Sequence, residues 1–159
     1  MKKKFIRNEY NTRIPCICSS RTCYIFYRKV CIGELTEERN DAGETDWVIK
    51  IYWKEWSKVG EPFIPGIDTD LHLNEYIRTF LPVIVEQRTI PEGRADIPSE
   101  IKRLGMSRYD RFEFMVRNHG LCGNNQLTIG RDKKDYPEHF WDRLEELYAE
   151  NEKGIYTGV

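Results

Sequence analysis

What this chain lacks narrows its function before any motif is considered. No apolar run approaches the roughly 18 residues that a membrane helix needs. The first residues, MKKKFIRNEY, pass from lysines straight into polar residues without the apolar stretch of a secretory leader, so a cytoplasmic protein is expected. Neither sign of charge is in excess: 25 Lys+Arg face 26 Asp+Glu, a net charge of -1. A duplex-binding protein normally carries a basic surplus that displaces counterions from phosphates, and a DNA mimic carries the opposite surplus. Neither class fits this balance, so nucleic acid is not the expected partner.

Phosphate-cradling glycines are also missing. The turn GLCGNN (residues 120–125) has neither the lysine nor the hydroxyl that a nucleotide loop needs. There is no nucleophile elbow, no internal repeat and no low-complexity tract. Histidine occurs three times, and neither His72 nor His139 stands at a metal-ligand spacing. Asp110 and Glu113 share a helix face as two catalytic carboxylates might, but pairing with Arg108, Arg111 or Arg117 explains them more economically.

What is present is the material of a core. Hydrophobic residues make up 40% of the 159 and aromatics 13%, enough to fill one domain. Four tryptophans (Trp47, Trp53, Trp56 and Trp141) can each bury a large surface, and each indole N–H then requires an acceptor. The five cysteines are an odd number without an export signal, which favours free thiols in a reducing compartment.

Residues 1–22 read as a basic arm carrying Lys2, Lys3, Lys4, Arg7, Arg13 and Arg21, interrupted by Pro15. Residues 23–35 are aromatic and β-branched strand material, with a tight turn at Arg28-Lys29 and an end near Gly33. EERNDAGET supplies a turn. Trp47, Ile49, Ile51 and Trp53 then alternate as one apolar strand face, opposite a mixed face of Val48, Lys50, Tyr52 and Lys54. Residues 57–70 form an irregular connection. Leu71, Leu73, Tyr76, Ile77 and Phe80 recur at helical spacing, which predicts a helix stopping near Phe80 ahead of Pro82.

The stretch 88–129 is the most informative. Asp96 and Pro98 start a short helix that Gly105 stops. Ser107 caps the next helix, whose buried stripe is Tyr109, Phe112, Met115 and Val116 and whose C-terminal cap is Gly120. A polar turn leads into a strand over residues 126–129. A last helix follows, with Phe140, Trp141, Leu144, Leu147 and Tyr148 on one face and Gly154 at its end. The expected organisation is an arm (1–22), an α+β core (23–132) and a C-terminal amphipathic helix and tail (133–159).

Two clusters could carry chemistry. Cys16, Cys18, Cys23 and Cys31 could supply zinc thiolates, but structural zinc pairs are spaced by two to four residues rather than one. Cys31 alternates with apolar neighbours as a core residue does. His119 and Cys122 could be a base and a nucleophile, yet the same RNHGLCGNN segment is explained as a turn of Asn and Gly. The expectation is therefore no cofactor and no catalytic residue.

The order of motifs is similar to one known family. RKVCIGELT, through Val30, Gly33, Leu35 and Thr36, resembles the strand–turn–strand near the start of HipA-type toxin kinases. EPFIPGI, the FLP of Phe80, Leu81 and Pro82, RLGM with YDRFEFM, and NHGLCGNNQLTI follow in the family's order over about residues 24–130. A similar string precedes HIRAN domains. Val83 stands where the family has glutamate, and the Cys122–Asn125 turn departs from its pattern. The resemblance implies a stand-alone, HipS-like N-terminal module without the kinase lobe, which binds and restrains a separate kinase chain.

The fold expected is α+β, a small antiparallel sheet packed against three or four short helices. The function expected is a non-catalytic protein-interaction module that regulates or inhibits a partner, such as a kinase-type toxin or a phage-defence protein. Its expected partner surfaces are Arg117, Asn118, His119, Asn124 and Asn125 in the turn, and Trp141, Leu144 and Tyr148 on the last helix. The alternatives are a small metal-binding or cysteine-dependent enzyme, and a nucleic-acid binder using the basic arm. Oligomeric state stays open.

Overall fold

The computed structural model describes residues 17–120 and 127–134. Its centre is a five-stranded antiparallel sheet in the order β4-β3-β2-β1-β5, flanked by four short helices: a small α+β fold, as the sequence suggests. The strands are β1 (Ile17–Tyr27), β2 (Val30–Asn40), β3 (Thr45–Ile51), β4 (Tyr76–Arg78) and β5 (Leu127–Gly130). The helices are α1 (Trp53–Lys58), α2 (Val83–Glu86), α3 (Ile97–Arg103) and α4 (Arg111–Arg117). No helix among the described residues is long and apolar enough to cross a membrane.

The β1–β2 hairpin turns at Arg28-Lys29 as expected, with Tyr27 opposite Val30 and Arg28 at φ +53°. A bulge follows, because Ile25 pairs with Gly33 while Phe26 pairs with Cys31. The extra residue, Ile32, is fully buried and its carbonyl accepts from the Tyr52 N–H at 2.8 Å. Alternation does the rest. Cys23, Ile25, Leu35, Trp47, Ile49 and Ile51 fall on one face and join Tyr76, Ile84, Phe112, Met115 and Ile129 in the core.

Several local expectations give way to the structure. Strand β1 begins at Ile17, so residues 17–22, grouped above with the arm, belong to the sheet. Strand β2 runs on to Asn40 through residues expected to turn, held by cross-strand pairs such as Arg21–Glu37, with Arg21 Nη2 2.6 Å from the carboxylate. The turn itself is residues 41–44, fastened by the Glu44 N–H on Asn40 Oδ1 at 3.0 Å.

Trp53 does not continue β3. It opens α1, where Trp53 and Trp56 meet edge to face at 5.1 Å. Their indoles donate to the carbonyls of Leu73 and Pro62, which answers the demand that burial makes on an N–H.

The helix expected after Leu71 is absent. A single 3-10 turn (Thr69–Leu71) ends at His72 in the left-handed region, and Tyr76–Arg78 form edge strand β4. Tyr76 and Ile77 are both buried because they point to opposite faces of a covered sheet, and adjacent apolar pairs of this kind imitate a helical stripe. Pro82 does not end a helix. With φ -63° it immediately precedes α2.

The expectations for residues 88–120 hold more closely, and the polar turn expected at 121–125 lies outside the described residues. Helix α3 follows Asp96 with Pro98 in its first turn, and Gly105 at φ +71° closes it. The cap of α4 is Asp110 rather than Ser107: its carboxylate accepts from the Glu113 N–H at 3.0 Å. Tyr109 thus lies outside the helix, and its hydroxyl is bonded to the backbone of Ile90. Beyond α4, the N–H of His119 reaches Val116 O and that of Gly120 reaches Met115 O, the paired bonds of a Schellman end.

Candidate interaction cleft

The end of the sheet beyond the core is charged. On the core-facing side the apolar order Ile25, Cys23 continues to Arg21, and Leu35 continues to Glu37 and Arg39. Arg21 stands directly opposite Glu37 in the β1–β2 register. Its Nη2 and Nε reach one Glu37 oxygen at 2.6 and 3.0 Å, its Nη1 reaches Asp110 at 2.9 Å, and its guanidinium lies 4.7 Å from the centre of the Phe112 ring. One arginine thus ties sheet to helix cap. Arg39 adds a second contact to Glu37 at 3.3 Å. The Glu37 side chain is only 4% exposed, so these guanidiniums replace water around a carboxylate that burial alone would penalise.

Above this network a cleft of about 420 Å³ opens, lined by Glu37, Arg39, Thr45 and Trp47 from the sheet and by Glu92, Arg108, Tyr109, Asp110 and Arg111 from the loops around α4. Arg111 donates to the Thr89 hydroxyl at 2.9 Å. Burial opposes the ionised form of Asp110, but the Glu113 N–H and Arg21 outweigh it and hold the carboxyl below its ordinary value. Burial likewise opposes the Arg21 cation, and Glu37 and Asp110 more than restore it.

The residues anticipated from the sequence lie at the other end of α4. Arg117 donates to Glu113 at 3.2 Å and to the carbonyls of Leu104 and Gly105, both at 3.0 Å. Asn118 accepts from Arg103 at 3.1 Å. His119 takes φ +57°, and its carbonyl accepts from the Ile129 N–H at 3.0 Å. These three residues shape the corner between α3, α4 and β5. Asn124, Asn125, Trp141, Leu144 and Tyr148 lie outside the described residues, as do Cys16, Cys122 and His139.

Cys18, Cys23 and Cys31 are not brought together. Cys18 donates to Arg39 O, Cys23 faces Leu35 and Cys31 faces Phe26. At about 3.3 Å per strand residue, that register spreads them by roughly 10 Å or more. Burial pushes the Cys23 and Cys31 thiols up, away from the thiolate, and an interaction with Asp41 does the same to Cys18. Among the described residues no group of three His, Cys, Asp or Glu side chains is arranged to hold a metal ion. His72 stacks on Trp53 at 4.4 Å.

Glu113 offers a measurement of this corner. Hydrogen bonding from Arg131 pulls its carboxyl down most, burial opposes, and Arg117 adds to the pull, leaving a pKa of about 2. A depressed carboxylate contributes stability that is complete above its unfolded pKa of about 4.3 and disappears as pH falls through the folded value. Solvent screening of this open site limits the gain to about 1 kcal/mol. Glu113→Gln is therefore expected to cost about that much at pH 7 and steadily less as pH falls from about 4 towards 2, in urea unfolding series. A constant difference across pH would show that the ion pairs contribute nothing.

The cleft residues escaped notice in the sequence because they assemble from four separate segments. One signal was available: once β1 and β2 are in register, Arg21, Glu37 and Arg39 fall on the core-facing side, where unpaired charge is costly. Comparison with protein-family models, with curated proteins and with solved structures finds no match to this chain.

Proposed function

We propose that this chain is a non-catalytic interaction module that binds a partner protein and regulates or restrains it. The setting is the toxin–antitoxin or phage-defence one implied by the resemblance to HipA-type N-terminal modules. The observation that carries the reading is the make-up of the cleft, where Trp47, Tyr109, Arg39, Arg108 and Arg111 stand together. Tryptophan, tyrosine and arginine are the side chains most enriched among binding hot spots, because each combines a large contact area with directional hydrogen bonding. The cleft is also built on rigid parts. The Arg21 network and the Asp110 cap hold its floor and wall, so little ordering is left to oppose association. The raised thiols of Cys18, Cys23 and Cys31 favour binding over thiol chemistry at those positions.

Charge reversal tests this. Tagged wild-type chain and an Arg108→Glu/Arg111→Glu variant are used to capture proteins from extracts of the native cells, with quantitative mass spectrometry. One partner is expected to fall by about ten-fold or more in the variant, while circular dichroism shows the fold intact. Equal recovery of every captured protein would reject the cleft as the interface.

A further inference from the structure

We infer that the cleft grips a single carboxylate of the partner, an aspartate or glutamate side chain or a chain terminus, through Arg108 and Arg111. This rests on the interaction reading above and adds the chemistry of what is bound. Among the described residues, Arg21, Arg39, Arg94, Arg103, Arg117 and Arg131 each form an ion pair with a carboxylate, and the buried Arg78 and Arg88 donate to backbone carbonyls. Arg108 and Arg111, which line the same cleft, do neither. Among the described residues Arg108 has no hydrogen-bond or ion-pair partner, and Arg111 has only the neutral Thr89 hydroxyl.

Two of the three acids lining the cleft are already committed. Glu37 is held by Arg21 and Arg39, and Asp110 by Arg21 and the Glu113 N–H. Glu92 is exposed on the rim and has no partner among the described residues. Counting Arg21 beneath the floor, the cleft sets four guanidiniums against three carboxylates, which leaves one positive charge. A monoanion closes that balance. A phosphate group, at about -1.5 to -2, overfills it and faces three carboxylates at close range. Guanidinium forks match the planar carboxylate geometry, and the half-buried Tyr109 supplies an aromatic flank. Glu92 is then an internal competitor for the same two arginines.

The test titrates the full chain with a short peptide bearing one central glutamate, with its glutamine counterpart, and with inorganic phosphate. Calorimetry gives affinities, and the arginine Nε–H signals locate the site. The glutamate peptide is expected to shift Arg108 and Arg111. Its affinity should fall about ten-fold in Arg108→Gln or Arg111→Gln and rise two-fold or more, roughly, in Glu92→Gln. Equal binding of the glutamine peptide, tighter binding of phosphate at the same arginines, or no binding of the glutamate peptide would each overturn the inference. If the peptide fails while the charge-reversed chain still loses its partner, the interaction reading stands and the carboxylate falls. If the charge-reversed chain keeps every partner, the interaction reading falls too.

Discussion

Gly120→Ala is expected to destabilise the domain by about 2–5 kcal/mol, one of the largest effects available from adding a single methyl group. Two costs combine. Gly120 holds φ +62°, where an L-residue pays about 1–2 kcal/mol for its Cβ. The added carbon would also stand 2.4 Å from Ile129 Cγ1 and 2.9 Å from the Ile129 backbone nitrogen. Rotating the isoleucine side chain cannot clear the second contact, so the backbone itself must move, and overpacking of this kind adds about 1–3 kcal/mol. The same nitrogen donates to His119 O, the bond that joins the end of α4 to β5. Because total stabilities run at about 5–15 kcal/mol, the variant should melt well below wild type, by roughly 10 °C or more. Thermal unfolding followed by circular dichroism reads this directly. A loss under about 1 kcal/mol would mean that α4 and β5 are not joined as described.

What was legible in the sequence divides along the range of the forces involved. The Arg28-Lys29 hairpin, the alternation of Trp47, Ile49 and Ile51, and the Asp96, Pro98 and Gly105 signals around α3 are all local, and each reappears in the structure. Residues 76–78 failed for a physical reason. A three-residue edge strand buried on both faces offers no alternation to read, and its ladder bonds come from β3, almost thirty residues back in the chain. Trp53 failed differently, since it keeps the parity of β3 while its partners, Trp56 and His72, belong to α1 and the turn beyond.

The cleft was the least legible part. Asp110 looked like a partner for its neighbours Arg108 or Arg111, and the neighbour rule did hold for Arg117 with Glu113. Asp110 instead meets Arg21, 89 residues away, because the sheet register carries that arginine to the cap of α4. Arg21 had been grouped with a solvated basic arm. Its place in β1 commits its charge internally, which also weakens the case for a nucleic-acid contact at that residue.

Arg21 is accordingly where the second large effect is expected. Arg21→Met keeps much of the side-chain volume over Phe112 while removing the cation. Glu37, buried beneath it, keeps only the more exposed Arg39, and Asp110 keeps only the Glu113 N–H. Breaking one side of a buried ion pair costs about 3–5 kcal/mol, and the 32% exposure of the Arg21 side chain places the expected loss near the bottom of that range, at about 3 kcal/mol. Glu37→Gln in the Arg21→Met background should recover part of the loss, since it removes the stranded charge and leaves a group of the same shape. A double-mutant cycle is then expected to give a coupling of about 1.5–3 kcal/mol between the two residues. Coupling below about 0.5 kcal/mol would mean that Arg21 acts by packing on Phe112 alone. Because Arg21 also fixes Asp110 beside Arg108 and Arg111, the single variant should weaken partner capture beyond what its lowered stability explains. On the proposed reading, the cleft binds its partner well only if its arginines stay where the network beneath holds them.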